Sequence, residues 1–359
     1  MNNRRDIELL VASAGSLYDE GRYAESLRAA EKATAAIAGA DDPGMTVRAL
    51  FREAEALRML GESADALARY GRILELAYDP RINKPFSLKL ADVIWYIAVA
   101  FIGWAQCARY VPGMKLEKLD QGLDTGLAWL RSAGRSHWRA GLLLQRALLL
   151  HETERVAEAV GIAEEALTLA EQHPDGPGPT LASYRRSLAE MLRALSRHDE
   201  AAAQYQKVLD DGDAHIHDRN ASLVSLASCT LDMGDVEQAR KYASDAVSEA
   251  RALGDSALCD ALAVRVKVHR SEGQAREALA LVEEQLRAAE RAGSDYYRYF
   301  AVRDAADVAF DLGDQESARA HLDKLAPLAR AMDRSRGGTT FADQLAERRA
   351  RLENAGESV

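Results

Sequence analysis

The chain has 359 residues, of which 46 are Lys or Arg and 56 are Asp or Glu, so its formal net charge is −10. That acidic excess argues against a general nucleic-acid binder, which needs a basic surface to neutralise phosphates. Apolar residues make up 48% and aromatic residues only 6%, which indicates a globular chain and disfavours a β-sandwich or barrel. Three widely separated cysteines, Cys107, Cys229 and Cys259, exclude a disulfide framework, so we expect a cytoplasmic protein.

The sequence indicates neither a targeting segment nor a membrane span. Asp6 and Glu8 interrupt the apolar stretch that an N-terminal signal peptide would require. The longest apolar run covers residues 93–105, which is 13 residues, whereas a membrane-spanning helix needs about 20. We therefore predict that this run is a buried helix.

An internal repeat runs through most of the chain. Segments such as GRYAESLRAA (21–30), GESADALARY (61–70) and GDVEQARKYA (234–243) are alike, and each carries a small residue five positions after its glycine. The aligned small residues are Ser26, Ala66, Gly122, Ala159, Ala201, Ala239, Ala278 and Ala318. They recur at similar intervals, except for a longer one between Ala66 and Gly122. This period predicts eight helical hairpins, because a small residue belongs where two packed helices approach most closely.

The turn of each predicted hairpin is also indicated by particular residues. Gly234 stands where the first helix of its hairpin must end, and glycine accepts a positive φ at such an end without a steric penalty. Asp235 follows as a helix N-cap, with Gln238 at capping-box spacing. Asp314 follows Gly313 in the same way.

The pattern resembles the tetratricopeptide repeat (TPR) family, in a long-period type with about 40 residues per repeat, as in bacterial regulators and peptide-pheromone receptors. The residues that carry the resemblance, besides the small residues aligned above, are Ala54, Ala189, Ala227 and Ala306 in first helices and Tyr70, Tyr205, Ala33, Ala166 and Ala246 in second helices. The resemblance covers about residues 5–335 and implies an all-α solenoid of helical hairpins, wound as a right-handed superhelix. It also implies binding of a protein or peptide on the concave face.

A Pro- and Gly-rich segment, QHPDGPGPT (172–180), divides the repeats. We predict an N-terminal half at 1–171, in which the third repeat (78–133) is enlarged, and a C-terminal half at 181–335. Residues 336–359 are predicted to form a capping helix and a tail. The segment at 172–180 is predicted to be a linker or hinge, or alternatively an ordered loop inside one continuous superhelix.

Residues with metal-ligand or catalytic chemistry are sparse. His215 and His217, between Asp213 and Asp218, are the one cluster of metal-ligand type. Without a second pair they favour a helix-capping loop, so we predict no metal and no cofactor. Phosphate-loop, zinc-protease and serine-hydrolase motifs do not occur, so we predict no catalytic residues.

The tryptophans are confined to the third repeat and its neighbour. The aromatic residues that mark this region are Trp95, Tyr96, Trp104, Trp129 and Trp138. One interpretation is bulky filling for an enlarged core. The alternatives are an aromatic pocket, which an enzyme would use for a small molecule, or the surface of a homodimer, because Trp is enriched at interface anchors.

The TPR resemblance assigns certain first-helix positions to the concave wall. Carried over residue by residue, these are Arg48, Phe51, Glu55, Arg58, Arg186, Glu190, Arg193, Lys267, Arg270, Arg303 and Asp307. Guanidinium groups bind planar carboxylates through paired contacts, so we predict an acidic protein or peptide partner. The alternative is a solvated face neutralised by pairs such as Arg303 with Asp307.

We therefore predict a TPR scaffold or adaptor without catalysis of its own, which binds neither nucleic acid nor membrane. A sensor of a peptide or small molecule, of the pheromone-receptor kind, is the alternative. An enzyme that uses the aromatic region of the third repeat is a third hypothesis.

Overall fold

The computed structural model describes residues 4–37, 42–79, 81, 90–111, 113–336 and 339–356. These residues form seventeen α-helices and no β-strand, which confirms the all-α class and the eight helix pairs. The chain forms two compact units, unit 1 (residues 1–187) and unit 2 (residues 188–359). Residues 80, 82–89 and 112 of the predicted third repeat, and residues 357–359 of the predicted tail, lie outside the described residues.

The helices follow one another in pairs. In unit 1 they are α1 (Arg4–Asp19), α2 (Tyr23–Ile37), α3 (Pro43–Met59), α4 (Ser63–Leu76), α5 (Leu90–Ala108), α6 (Leu116–Ser132), α7 (Ala140–Glu152) and α8 (Val156–Gln172). Helix α9 (Leu181–Ala194) contains the division between the units. Unit 2 continues with α10 (His198–Leu209), α11 (Ile216–Asp232), α12 (Val236–Leu253), α13 (Asp255–Ser271), α14 (Ala275–Ala292), α15 (Asp295–Asp311), α16 (Gln315–Arg336) and α17 (Thr340–Gly356). Odd-numbered helices up to α15 are the first helices of their pairs.

The turn between α11 and α12 shows how the sequence produces a hairpin. Gly234 has φ of +84° and lets the chain reverse after α11. The Asp235 carboxylate then accepts a hydrogen bond from the Gln238 amide at 3.0 Å and caps α12. Ala239 is fully buried and packs with Ala227 and Val264. The predicted glycine, cap and small residue therefore all take their expected places.

Helix α5 is the centre of the core of unit 1, where it contacts α3, α4, α6 and α7. Two glycines make room for aromatic rings where α5 packs against α4 and α6. A Cβ on Gly103 would overlap the Tyr70 ring, and one on Gly122 would overlap the Trp104 ring. Among the described residues α5 is the one helix apolar and long enough to cross a membrane, but 56% of that span, Ala91–Ala108, is buried inside the protein.

The Pro- and Gly-rich segment at 172–180 packs closely against other parts of unit 1. A Cβ on Gly178 would overlap the Tyr184 hydroxyl, and one on Gly176 would lie 3.3 Å from the Trp138 ring. The glycines are needed here because the loop backbone lies against large side chains. The division between the units comes later in the chain than the predicted linker, after Ser187.

Helix α17 packs on the last hairpin. Phe341, Leu345 and Leu352 are buried in one cluster with Tyr299 and Leu322. The Asp333 carboxylate accepts hydrogen bonds from the first-turn amides of α17, at 3.0 and 2.9 Å. The terminal apolar surface of the repeat stack is thereby covered.

Candidate functional site

A groove of about 640 Å³ runs across the first helices of unit 2. It is lined by the end of α9 and by α11, α13 and α15, with one residue from α14. The α11 wall includes short side chains such as Ala221, Ser225 and Ser228. Because these residues project little, the groove stays open between the longer side chains of α13 and α15.

One end of this groove is cationic. Arg193, Lys267 and Arg303 line the groove, and Arg193 and Arg303 act on Lys267 at close range together with the carboxylates of Asp304 and Asp232. We call the three cations the basic end. The groove walls lower the pKa of Lys267 by desolvation, and the charge of Arg303 lowers it further. The Lys267 side chain is nevertheless exposed, because a concave wall surrounds the ammonium group without covering it.

Only one of the three cations of the basic end has an ion-pair partner within the described chain. Arg303 lies 2.7 Å from the Asp304 carboxylate and 4.6 Å from the Phe300 ring centroid. Asp304 is buried and also accepts a hydrogen bond from Gln285 at 3.0 Å. The alternative pair of Arg303 with Asp307, considered from the sequence, is therefore wrong. Arg193 and Lys267 lie outside this ion pair, although the nearby charges of Asp304 and Asp232 stabilise the Lys267 ammonium.

The other end of the groove carries an acid. Burial between the groove walls raises the pKa of Asp260 to about 6, although the neighbouring Tyr297 hydroxyl favours the charged carboxylate and partly opposes the shift. The Ser256 hydroxyl lies beside Tyr297, and both residues line the groove with Asp260. No Lys or Arg in the described part of the chain forms an ion pair with Asp260. We call Asp260, Tyr297 and Ser256 the acidic end.

The two ends are separated along the helix axes. Asp260 and Lys267 are seven residues apart on α13, so they lie on one face of the helix about 10 Å apart. On α15, Tyr297 faces Asp260 and Asp304 is near Lys267, again seven residues apart. Helices α13 and α15 therefore run in the same direction. The groove has cations at its basic end and the Asp260 carboxylate at its acidic end.

Two of the predicted concave-face residues are held in a network with α17. Arg270 lies 2.6 Å from Asp311 and 3.4 Å from Asp307. Asp307 also pairs with Arg348 of α17 at 3.0 Å. Neither Arg270 nor Asp307 lines the groove. Both side chains form ion pairs with other charged residues of the protein instead.

The predicted residues of the second repeat form a separate network inside unit 1. Glu55 accepts hydrogen bonds from Tyr18 at 3.2 Å, from Arg58 at 2.7 Å and from Tyr70. Burial and the nearby Glu55 charge raise the pKa of Tyr18 to about 12, which keeps its hydroxyl protonated as a donor. This network joins α1, α3 and α4.

The remaining predicted residues of unit 1 are partly or fully covered. Phe51 is buried, with its ring centroid 5.0 Å from that of Tyr96. Arg48 on α3 and Arg186 on α9 are partly buried. The structure therefore brings Glu190, Arg193, Lys267 and Arg303 to one groove of unit 2 and places the other predicted residues elsewhere.

Most of the aromatic residues of the third repeat and its neighbour are packed. Trp129 and Trp138 are buried, and Trp104 and Tyr96 pack on the core around α5. Trp95 is the exception, because 37% of its surface is exposed. Its ring packs edge-on against Phe51, with 6.1 Å between the two ring centroids. This arrangement agrees with bulky filling of an enlarged core.

His215 caps a helix, and the cysteines lie in the interior of the protein. The His215 ring accepts a hydrogen bond from the His217 amide at 3.3 Å and caps α11. All three cysteines are buried, and burial raises the pKa of Cys107 to about 11. The described residues contain no group of three or more His, Cys, Asp or Glu side chains arranged to hold a metal.

Sequence reasoning missed the acidic end. Asp260 has the same position in α13 that Arg48 has in α3, counted back from the small residues Ala278 and Ala66. The repeat register therefore contained the signal. The repeat register did not indicate Tyr297. In α15 the residue equivalent to Asp260 is Phe300, and Tyr297 lies one helical turn before it.

Known proteins match this chain in part of its sequence and over its whole fold. A family model for the tetratricopeptide repeat matches residues 138–211. Among solved structures, the apo form of RapI has a TM-score of 0.66 at 10% identity, covering 98% of both chains. A Rap protein complexed with Competence and Sporulation Factor has a TM-score of 0.58 at 11% identity, covering 98% of this chain and 99% of the other.

The apo form of the quorum sensor NprR from B. thuringiensis has a TM-score of 0.57 at 11% identity, over 96% of this chain and 99% of the other. At these identities the likeness shows the fold alone. No curated protein sequence matches the chain. The chain is therefore an all-α helical-repeat protein, and its residues 138–211 match the tetratricopeptide repeat family.

Proposed function

We propose that this protein is a cytoplasmic binding module, without catalysis of its own, that holds an acidic segment of a protein or peptide in the groove of unit 2. The observation that carries the proposal is the convergence of Arg193, Lys267 and Arg303 at one end of that groove. The described residues offer no carboxylate in an ion pair with Arg193 or Lys267, so a ligand carboxylate gains contacts that the protein does not already make. Such contacts steer and select a partner by charge.

The shape of the groove supports a peptide rather than a compact metabolite. It is open and is lined by four consecutive first helices, so a segment bound in it contacts several repeats at once. Repeat proteins use such extended surfaces for binding. The small α11 side chains leave room for a backbone to approach.

The test is an array of acetylated and amidated octapeptides of randomised sequence, probed with the full chain at low and high salt. We expect bound peptides to be rich in Asp and Glu and to weaken as salt increases, because exposed charge pairs are screened. Arg193→Glu with Lys267→Glu is expected to weaken binding about tenfold or more. Both residues are exposed, so the variant is expected to fold normally.

The control for this variant is Arg276→Glu with Arg287→Glu on the exposed face of α14, which changes the net charge equally. This control is expected to bind like the wild type. If the two double variants lose binding equally, or if the selected peptides are not acidic, the proposal is wrong.

A ligand-responsive regulator is a second candidate. It is supported by end-to-end similarity to a Rap protein solved with Competence and Sporulation Factor and to NprR, which is described as a quorum sensor. A regulator of this kind would change conformation on binding. Small-angle scattering of the full chain with and without a selected octapeptide separates the candidates, because a pure adaptor keeps its radius of gyration.

A further inference from the structure

We infer that the groove of unit 2 selects a peptide segment that carries both an acidic group and a basic group, spaced to match the two ends of the groove. This inference rests on the proposed function and adds a second requirement to it. The acidic group binds at the basic end, as proposed above. The basic group binds Asp260 at the acidic end, which a purely acidic ligand would not use.

Asp260 is suited to a cation because its carboxylate is exposed to the groove and none of the described Lys or Arg side chains forms an ion pair with it. The Tyr297 hydroxyl lies beside the carboxylate as its one neighbouring donor, and Ser256 lines the groove next to Tyr297. One donor leaves most of the acceptor capacity of a carboxylate unused. A ligand ammonium or guanidinium group fills that capacity and offsets the cost of keeping the charge between the groove walls.

The distance between the ends determines the spacing in the ligand. Asp260 and Lys267 are separated by about 10 Å along α13, since each helical residue rises about 1.5 Å. An extended peptide rises about 3.3 Å per residue. The acidic and basic side chains are therefore expected about three to four residues apart.

A ligand with acids at both positions is disfavoured by the same geometry. A second carboxylate would lie beside Asp260, and like charges held close together repel. The acidic end thus selects against segments that are acidic throughout, which the basic end alone would accept. Opposite charges at the two ends give the groove selectivity that its cations alone do not provide.

The experiment uses acetylated, amidated octapeptides built on a Gly–Ser background, so that the peptide ends carry no charge. One set contains a single Glu, a second contains Glu and Arg, and a third contains two Glu residues, with every spacing that an octapeptide of this design allows. Binding of the full chain is measured on the array and then by fluorescence anisotropy. For the wild type we expect Glu with Arg, at the spacing given above, to bind about threefold to fivefold more tightly than Glu alone.

The decisive variant is Asp260→Lys, which makes both ends of the groove basic. Its preference is expected to change from Glu with Arg to two Glu residues at the same spacing. Asp260→Asn is the milder variant, and it is expected to lose the gain from Arg while keeping the affinity for Glu. Asp245→Lys changes the net charge by the same amount as Asp260→Lys at an exposed position on α12, and it is expected to keep the wild-type preference.

Three results distinguish the inference from the function on which it rests. A preference that switches with Asp260→Lys and not with Asp245→Lys supports the inference. If Glu with Arg binds no better than Glu alone, or if Asp260→Asn changes nothing, the inference is overturned while binding of acidic segments stands. If no Glu-containing peptide binds at any spacing, the proposed function fails and the inference fails with it.

Discussion

The charged residues of the first helices are used differently in the two units. In unit 1, Glu55 is surrounded by three donors, Tyr18, Arg58 and Tyr70, and its hydrogen-bonding capacity is used within the protein. In unit 2, Lys267 has the register position that Glu55 has in its own repeat, yet it faces an open groove. The same repeat position is therefore enclosed by hydrogen-bond donors in one unit and open to the groove in the other.

The difference comes from the residues opposite each position. Glu55 meets two tyrosines contributed by α1 and α4, whereas the α11 wall of the groove that Lys267 faces includes Ala, Val and Ser side chains. Large polar neighbours close the space over a charge, and small neighbours leave it open. We therefore expect a charged residue in a helical repeat to stay open to a ligand when the facing helices present small side chains.

The largest predicted effect tests the closed network. Glu55→Ala removes the acceptor shared by three donors and leaves the buried Tyr70 hydroxyl without this partner. We expect a loss of about 3 kcal/mol in the free energy of unfolding, because buried donors and charges without partners are costly. The measurement is urea unfolding followed by circular dichroism, with Glu75→Gln as the control. Glu75 forms an exposed pair with Arg72 and its change should cost under about 1 kcal/mol, so equal losses would contradict the network.

The next effect tests the tight core of unit 1. Gly122→Ala places a methyl group against the Trp104 ring, and such overpacking costs about 1–3 kcal/mol. Gly161→Ala, in α8, meets no atom within 4 Å and should stabilise the helix by about 0.5–1 kcal/mol. Thermal melting of both variants gives opposite signs if the packing is as described. A shift of the same sign in both would mean that the glycines are present for another reason.

A pH-dependent effect tests the acidic end of the groove. Burial raises the pKa of Asp260 from an ordinary value of 3.8 to about 6, so the folded chain holds this proton more tightly than the unfolded chain does. The stability that protonation contributes is present below the ordinary pKa and is lost as pH rises through about 6. Asp260→Asn should therefore stabilise the protein at pH 7.5 and have little effect at pH 4.

The gain from Asp260→Asn is expected to be under about 1 kcal/mol, because water screens a carboxylate that is partly exposed. The measurement is the urea midpoint at both pH values, with Asp245→Asn on α12 as the control for loss of one charge. A gain from Asp260→Asn that is equal at both pH values would show that Asp260 does not titrate in this range.

The smallest effect completes the comparison between the units. Lys267→Gln removes a desolvated cation that is close to Arg303, so we expect a change within about 0.5 kcal/mol, in the stabilising direction. The free energy of unfolding from urea titration measures it. A large destabilisation would mean that Lys267 supports the fold as Glu55 does, and that the two units do not differ in the way described.

The sequence by itself determined the hairpins and their boundaries. A residue such as Gly234 needs no distant partner to end a helix, and Asp235 caps the next helix with its own neighbours, so both follow from local chemistry. The small residue Ala239 follows from the fixed distance between two packed helices. The small residue recurs in each repeat and the glycine in most of them, which made the fold class predictable.

The site depended on tertiary structure. Periodicity placed Glu55, Arg193, Lys267 and Asp307 on the same kind of helix face, yet it could not distinguish the partners that each one meets. Those partners come from distant parts of the chain. Tyr18, which bonds to Glu55, is 37 residues away in the sequence, and Arg348, which bonds to Asp307, is 41 residues away. Whether a charge is neutralised or left for a ligand is decided by these contacts, because electrostatic energy depends on distance and surroundings in space rather than on position in a repeat.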